Sequence, residues 1–246
     1  MNLKKIFLVL ALTIPFSFSL LFSESVDVDH FIIAPSMNGC GGYIKNQSSH
    51  VIGGGTYSLG LHKFMLKFNY GFMDFLEAGA FVDFGAAIDS SSDVAPVFQV
   101  LTTTSFNVKA RFLDEDIYFV SMAAGIERFP VMVFDNEQHP DFRIYAAASK
   151  KIGDMEVSIG VKKQLDAGSF DFSNWGFAAN VSKVMADTVL VMLEYDERTF
   201  NAGVKVSFNP NLSVDFFILG LEKIGRAEEI GTFLREYFVF GITYLQ

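Results

Sequence analysis

Four histidines, one cysteine and a few carboxylates close together are where chemistry could reside in this chain. Asp74 and Glu77 have the spacing of a general acid/base pair. A tight turn explains them better: Asp74 forms the turn by bonding to nearby backbone, and Glu77 becomes the first inward residue of the next strand. His139 beside Asp135 and Asp141, or His62 with neighbouring loop serines, has the residue types of a hydrolase or acyltransferase site at a barrel rim. No serine stands in a recognisable nucleophile context, so the chain reads as a non-enzyme with no catalytic residues. His30, His50, His62 and His139 have no spacing that puts two on one strand face, so no metal site is expected. His62, in a first extracellular turn, and His139, in a long loop, are both expected to be solvated. Lone Cys40, among Gly39, Gly41 and Gly42, excludes an intramolecular disulfide framework and a Cys-rich metal site. Gly53, Gly54 and Gly55 are followed by no Lys-Ser/Thr and no helical pattern, so they form no phosphate loop, and no cofactor is expected.

The elements that must position these residues are strands. From about Gly55 to the end, apolar and polar residues alternate in short runs. Tyr57, Leu59 and Leu61 mark the first strand; Phe64, Leu66, Phe68 and Tyr70 mark the second. The spacing predicts further strands over residues 76–84, 98–111, 118–126, 144–151, 155–163, 175–183, 189–195, 200–208, 212–221 and 237–244. Tight connections at residues 72–74, 113–116, 153–154, 186–187 and 209–211 alternate with mostly longer polar stretches at 88–95, 129–141, 165–174 and 223–235. Short turns on one rim and long loops on the other predict an all-β, antiparallel up-and-down transmembrane β-barrel of about 12 strands. An even count leaves both termini on the short-turn, periplasmic side.

In such a barrel one parity faces lipid and the other lines the lumen. Phe68, Val82, Val157, Val204 and Phe240 are expected to face lipid. Lys67, Glu77, Asp83, Lys109 and Arg111 are candidate lumen residues from the first half. Arg143, Glu156, Lys205 and Asp215 are their counterparts in the second. Lys205 should oppose Asp215 and Lys151 should oppose Glu156 across tight turns, and such pairs help to hold register. A barrel this narrow is expected to be filled rather than open.

Lys4 and Lys5, the apolar run over residues 6–21, and Ser23-Glu24-Ser25 read as a signal peptide over residues 1–25. Residues 26–54 lack periodicity and form a loop-rich lead-in to the barrel of residues 55–246. Cys40 is too remote from the apolar run to be a lipoprotein cysteine. Half of the chain is hydrophobic, with mean hydropathy +0.31, yet that hydrophobicity is spread in alternation, and Phe occurs 28 times. A charge of −9 argues against a nucleic-acid partner. The expected partners are outer-membrane lipid and the barrel-insertion machinery, for which the alternating Phe238, Phe240, Ile242 and Tyr244 form a terminal strand; the expected location is the outer membrane.

Ala34-Pro35-Ser36, the run Gly53-Gly54-Gly55-Thr56-Tyr57-Ser58-Leu59-Gly60-Leu61-His62, and Tyr70-Gly71-Phe72-Met73-Asp74-Phe75-Leu76-Glu77-Ala78-Gly79 together resemble the YjbH-like group of outer-membrane barrels. The resemblance covers roughly residues 33–86. It implies a link to exopolysaccharide production or export, and hence polysaccharide-export components as partners; it brings no catalytic residues. The chain is short for that group. The leading expectation is a structural or accessory envelope barrel. A narrow passive channel for small solutes and an outer-membrane hydrolase or acyltransferase are the alternatives.

Protease added to intact cells is expected to cut within residues 129–141 and 223–235 and to spare the turns at Asp74, Asp154 and Asn211. Cutting at the turns alone would reverse the sidedness.

Overall fold

A strand with one apolar and one polar face satisfies its backbone only through neighbours on both edges, and a sheet of such strands has free edges until it closes. Here it closes. The structure is a computed structural model that describes residues 31, 33, 36–37, 41–85, 103–131, 142–165, 175–185, 188–226 and 234–246. The signal region, Cys40 and His139 lie outside the described residues.

Twelve antiparallel strands form one closed barrel in sequence order, the first pairing with the last. They are β1 (Tyr57–His62), β2 (Met65–Met73), β3 (Leu76–Asp83), β4 (Thr104–Leu113), β5 (Ser121–Pro130) and β6 (Phe142–Ile152). They continue as β7 (Met155–Leu165), β8 (Gly176–Met185), β9 (Val189–Asp196), β10 (Thr199–Asn209), β11 (Leu212–Ile218) and β12 (Phe238–Leu245). Tyr57 and Gln246 exchange both backbone hydrogen bonds (2.8 and 2.9 Å) where the ends meet. Among the described residues, no helix is long and apolar enough to cross a membrane, which leaves a β-barrel untouched.

The connections sort by rim in the main. Short ones join β2 to β3, β6 to β7 and β10 to β11 on one rim, which also carries the longer connection over residues 114–120. On the other, those before β4, β6, β8 and β12 are longer, while β1–β2 and β9–β10 are tight turns. Several boundaries differ from the sequence reading. Phe64 lies in a tight turn, not in β2, because Lys63 takes a left-handed conformation (φ 53°). Tyr118 and Val120 belong to the connection before β5, where bonds to the Asp114 carbonyl hold a turn, and β5 starts at Ser121. Leu221 opens a short 3₁₀ segment, Leu221–Arg226, beyond β11.

Parity assigns the faces largely as expected. Phe68 and Phe240 are exposed on the outer surface, and Val82 and Val157 lie half-buried there. Val204 also has outward parity but is only 4% exposed, since it packs with Val189, Val191 and Val206 on the outer wall. β-Branched side chains on adjacent strands cover one another.

The sequence predicts only a loop-rich lead-in over residues 26–54. The described part of it runs through the lumen. Phe31, Tyr43, Ile44 and Ile52 are fully buried there, and Phe31, Tyr43 and Ile44 pack against Leu190, Met192, Phe217 and Val239 of the wall. An apolar core therefore sits inside the barrel, on a face expected to be polar.

The closure has a direct check. Because Tyr57 and Gln246 form a hydrogen-bonded pair, Ser58 and Leu245 form the adjacent non-hydrogen-bonded pair, whose Cα atoms in such ladders lie ~4.5 Å apart, within disulfide reach. Ser58→Cys with Leu245→Cys, in a Cys40→Ser background, is expected to cross-link on oxidation and shift electrophoretic mobility. An open sheet would not cross-link.

Candidate functional site

A chain segment with no sheet or helix of its own must find partners for every backbone N–H and C=O it buries. In the lumen the wall's charged side chains supply them. Glu77 on β3 accepts the Gly41 N–H (2.9 Å) and the Ile52 N–H (3.2 Å). Glu194 on β9 accepts three consecutive amides, from Ile44 (3.1 Å), Lys45 (2.9 Å) and Asn46 (2.8 Å), and also the Asn201 side-chain amide (2.9 Å). The carbonyls go to lysines. Lys205 on β10 donates to Phe31 (2.8 Å) and Gly42 (3.0 Å), Lys109 on β4 to Gly41 (3.0 Å), and Lys67 on β2 to Ser36.

Two further groups complete the grip. The buried Tyr43 hydroxyl donates to Glu156, which also faces His50 Nε2 at 3.4 Å. Burial, and then the Glu156 charge, hold the Tyr43 pKa well above its ordinary value, so the hydroxyl keeps the proton that it donates. Lys45 lies near Asp196 (3.8 Å), and burial lowers its pKa.

His62 corrects the sequence reading most sharply. It is not a solvated turn residue: it is the last residue of β1 and fully buried. Its Nε2 lies 2.7 Å from Asp215 Oδ2, and Nδ1 lies 3.3 Å from Lys67 Nζ. One neutral tautomer satisfies both, with Nε2–H donated to Asp215 and Nδ1 accepting from Lys67. The ring reaches across β12 because the residue beneath it is Gly241, where a Cβ would overlap the imidazole. It also stacks on Phe217, with centroids 5.6 Å apart. Asp215 accepts in addition from Thr243 Oγ1 (2.9 Å).

A His–Asp pair has the parts of a general base. Here its outer nitrogen faces an ammonium and the site is closed, so no position is left for a substrate atom. In this geometry Nδ1 faces Lys67 Nζ, which in turn donates to the Ser36 carbonyl.

The expected lumen residues divide into three groups. Lys67, Glu77, Lys109, Glu156, Lys205 and Asp215 are fully buried inside the barrel. Glu77 and Lys109 are register partners on adjacent strands and lie 3.2 Å apart as an ion pair. Arg143 pairs with the buried Glu127 (3.5 Å), and Asp83 has lumen parity at the end of β3. Arg111 shares the inward parity of Lys109 but lies at the short-turn rim, on the Asp74 carbonyl (2.9 Å) and the Asp114 carboxylate (2.7 Å). Lys205 opposes Asp215 and Lys151 opposes Glu156 in register, as expected. Yet Asp215 bonds to His62 and Glu156 to Tyr43, because the lead-in and β1 compete for those carboxylates.

Glu127 and Glu194 were missed as lumen residues. Glu194 sits in Val189–Asp196, a run apolar on both faces until its end, so alternation did not single it out. Glu127 follows Gly125-Ile126 and precedes Arg128, whose left-handed φ of 58° breaks the strand's parity. That bulge places the Arg128 guanidinium 5.3 Å from the centroid of the inward Phe81 ring.

A cavity of about 20 Å³ lies between Asn46, Gln47 and the wall at Tyr145, Ser158, Gly160 and Asn180. At the long-loop rim a polar cleft of about 420 Å³ opens beside Lys162, Trp175, Glu197 and Arg198. Among the described residues, no group of three or more His, Cys, Asp or Glu side chains could hold a metal ion.

No protein-family model matches the chain, and no curated protein matches it. Among solved structures it is similar to a KdgM porin at 11% identity and TM-score 0.43, covering 77% of this chain and 96% of that one. A KdgM porin in complex with disordered oligogalacturonate is similar at 10% identity and TM-score 0.43, with the same coverage.

Glu194→Ala would strip the partners from three consecutive buried amides at once. At roughly 1–3 kcal/mol for each unpaired buried group, the three together would consume a large part of a typical domain's margin of about 5–15 kcal/mol, so local release of the segment is the expected relaxation. A cysteine at Asn46 in a Cys40→Ser background is expected to react with maleimide in the Glu194→Ala variant and to resist it otherwise. Equal protection in both would remove Glu194 from this role.

Proposed function

We propose that this protein is an outer-membrane barrel, exported by its N-terminal signal, that does not conduct solute in its resting form and serves a structural or accessory role in the envelope. The observation that carries this reading is the filled lumen. The wall residues that would line a channel, among them Lys67, Glu77, Lys109, Glu156, Lys205 and Asp215, are fully buried. Their hydrogen bonds and ion pairs go to the lead-in or to other residues of the wall. A channel needs those groups to meet water and ions.

The outer-membrane setting is supported by a closed barrel whose outer surface exposes Leu59, Phe68, Phe106, Val108, Ile159, Val161, Val181 and Phe240. Water penalises so continuous an apolar band, whereas hydrocarbon accepts it. A role in polysaccharide production or export, with export components as partners, rests on the YjbH-like residues alone. Gly71 in that motif has a physical reason to be glycine: a Cβ there would overlap the Ile52 and Gly53 carbonyls of the entering segment.

In planar bilayers the full-length mature chain is expected to give no discrete conductance steps. A chain lacking residues 26–52 but keeping the signal should insert and conduct, since its lumen charges would then be hydrated. Stable unitary steps from the full-length protein would overturn this reading in favour of the passive channel.

A further inference from the structure

Residues 114–120, joining β4 to β5 at the short-turn rim, expose more apolar surface than a turn in water requires. Ile117 is 77% exposed, Tyr118 53% and Phe119 82%. The segment is firmly built. The Asp114 carbonyl accepts the Ile117 N–H (3.2 Å) and the Tyr118 N–H (2.8 Å), and its carboxylate accepts the Asp116 N–H (3.1 Å).

A second anchor sets its direction. Glu115 accepts the Lys151 N–H (3.0 Å) and pairs with Lys150 Nζ (2.9 Å). Lys150 belongs to the outward row of β6, with Ala148 and Ile152, and its ammonium lies 4.6 Å from the centroid of the Phe119 ring. The loop is therefore folded against the outer flank, not beneath the lumen. It continues a group of exposed apolar side chains near the same rim: Phe72, Phe75, Phe112 and Ile152. Across the barrel, the turn between β10 and β11 is polar, with Asn209 Oδ1 accepting the Asn211 and Leu212 N–H groups.

We infer that residues 117–119 are an interfacial lipid surface, set into the boundary between headgroups and acyl chains of the leaflet on the short-turn side. The inference rests on the outer-membrane reading above. Ile117 and Phe119 supply apolar area, and Tyr118 is an amphipathic side chain of the kind that favours this depth. Lys150, on the same flank, can meet lipid phosphate. Continuity with the outward apolar group and the outward set of the loop favour lipid over a soluble protein docked beneath the barrel. One sector of the barrel is thereby gripped by the leaflet more deeply than the sector opposite.

The test uses the full-length chain in phospholipid vesicles, with its single tryptophan removed as Trp175→Phe. Phe119→Trp and Ile117→Trp report on the loop, and Ile159→Trp, exposed on the outer face of β7, reports on the membrane-spanning band. Lipid brominated high on the acyl chain is expected to quench both loop tryptophans and the band control, with acrylamide quenching weak at all three. If acrylamide reaches the loop tryptophans while bromolipid quenches only the control, the loop lies in water and the inference is overturned. If neither quencher reaches them, protein covers the loop, a second copy included, and the inference is equally overturned. If Ile159→Trp is not quenched by bromolipid, the outer-membrane reading itself fails and this inference falls with it.

Discussion

Everything inside this barrel depends on one constraint: an irregular segment buried in a lumen cannot leave its peptide groups unpaired. Sheet and helix solve that problem by pairing backbone with backbone; residues 41–53 do so little. Instead, Glu77 and Glu194 between them accept five amide protons, and Lys67, Lys109 and Lys205 donate to four carbonyls. Hydrogen bonds to charged groups are worth about 1.5–3 kcal/mol each, against about 0.5–1.5 for neutral ones, so ionised side chains suit a segment without periodic partners. The same bonds explain how such charges tolerate burial, since a buried ion without them would cost several kcal/mol.

The rest of the wall is arranged around that requirement. Gly241 lets the His62 ring cross β12 to Asp215, which leaves Nδ1 facing Lys67, itself bonded to the entering chain. Gly71 clears the path where the segment leaves the lumen for β1. Beside Lys205 and Glu194 on the same stretch of wall, Leu190, Met192, Phe217 and Val239 bury Phe31, Tyr43 and Ile44 in a core of their own. The lumen thus behaves as a protein interior, with apolar packing beside hydrogen-bonded and ion-paired side chains, while the outer surface carries the exposed aromatics.

How much of this was legible in the sequence depends on which interaction set each feature. Alternation located the strands, and the turn residues located the rims, because both are consequences of local backbone geometry. Asn209 closes its turn through Oδ1, whereas Asp74 and Asn211 sit in their turns but direct their side chains elsewhere, to the Gly54 N–H and the Leu245 carbonyl. Lys67 and Glu77 were readable as inward because their own strands alternate. Glu194 was not, since the run before it is apolar on both faces, and that double-sided character is itself the mark of a lumen wall with apolar contents. His62 was misplaced for a related reason: parity puts it inward, but its position beside a tight turn suggested solvent.

By itself the sequence determined the barrel: strand number, rim asymmetry, inward and outward parity, and the in-register opposition of Lys205 with Asp215 and of Lys151 with Glu156. These follow from a period of two and from turn chemistry, which act over a few residues. Only the tertiary structure decided what the inward charges do. An aperiodic stretch such as residues 41–53 carries no signal of where it will lie, because its partners come from strands 25 to 163 residues away. Register alone would join Asp215 to Lys205 and Glu156 to Lys151. The entering segment and the imidazole on β1 take those carboxylates instead, because a charge with several partners in reach goes where the closed barrel leaves it the best geometry.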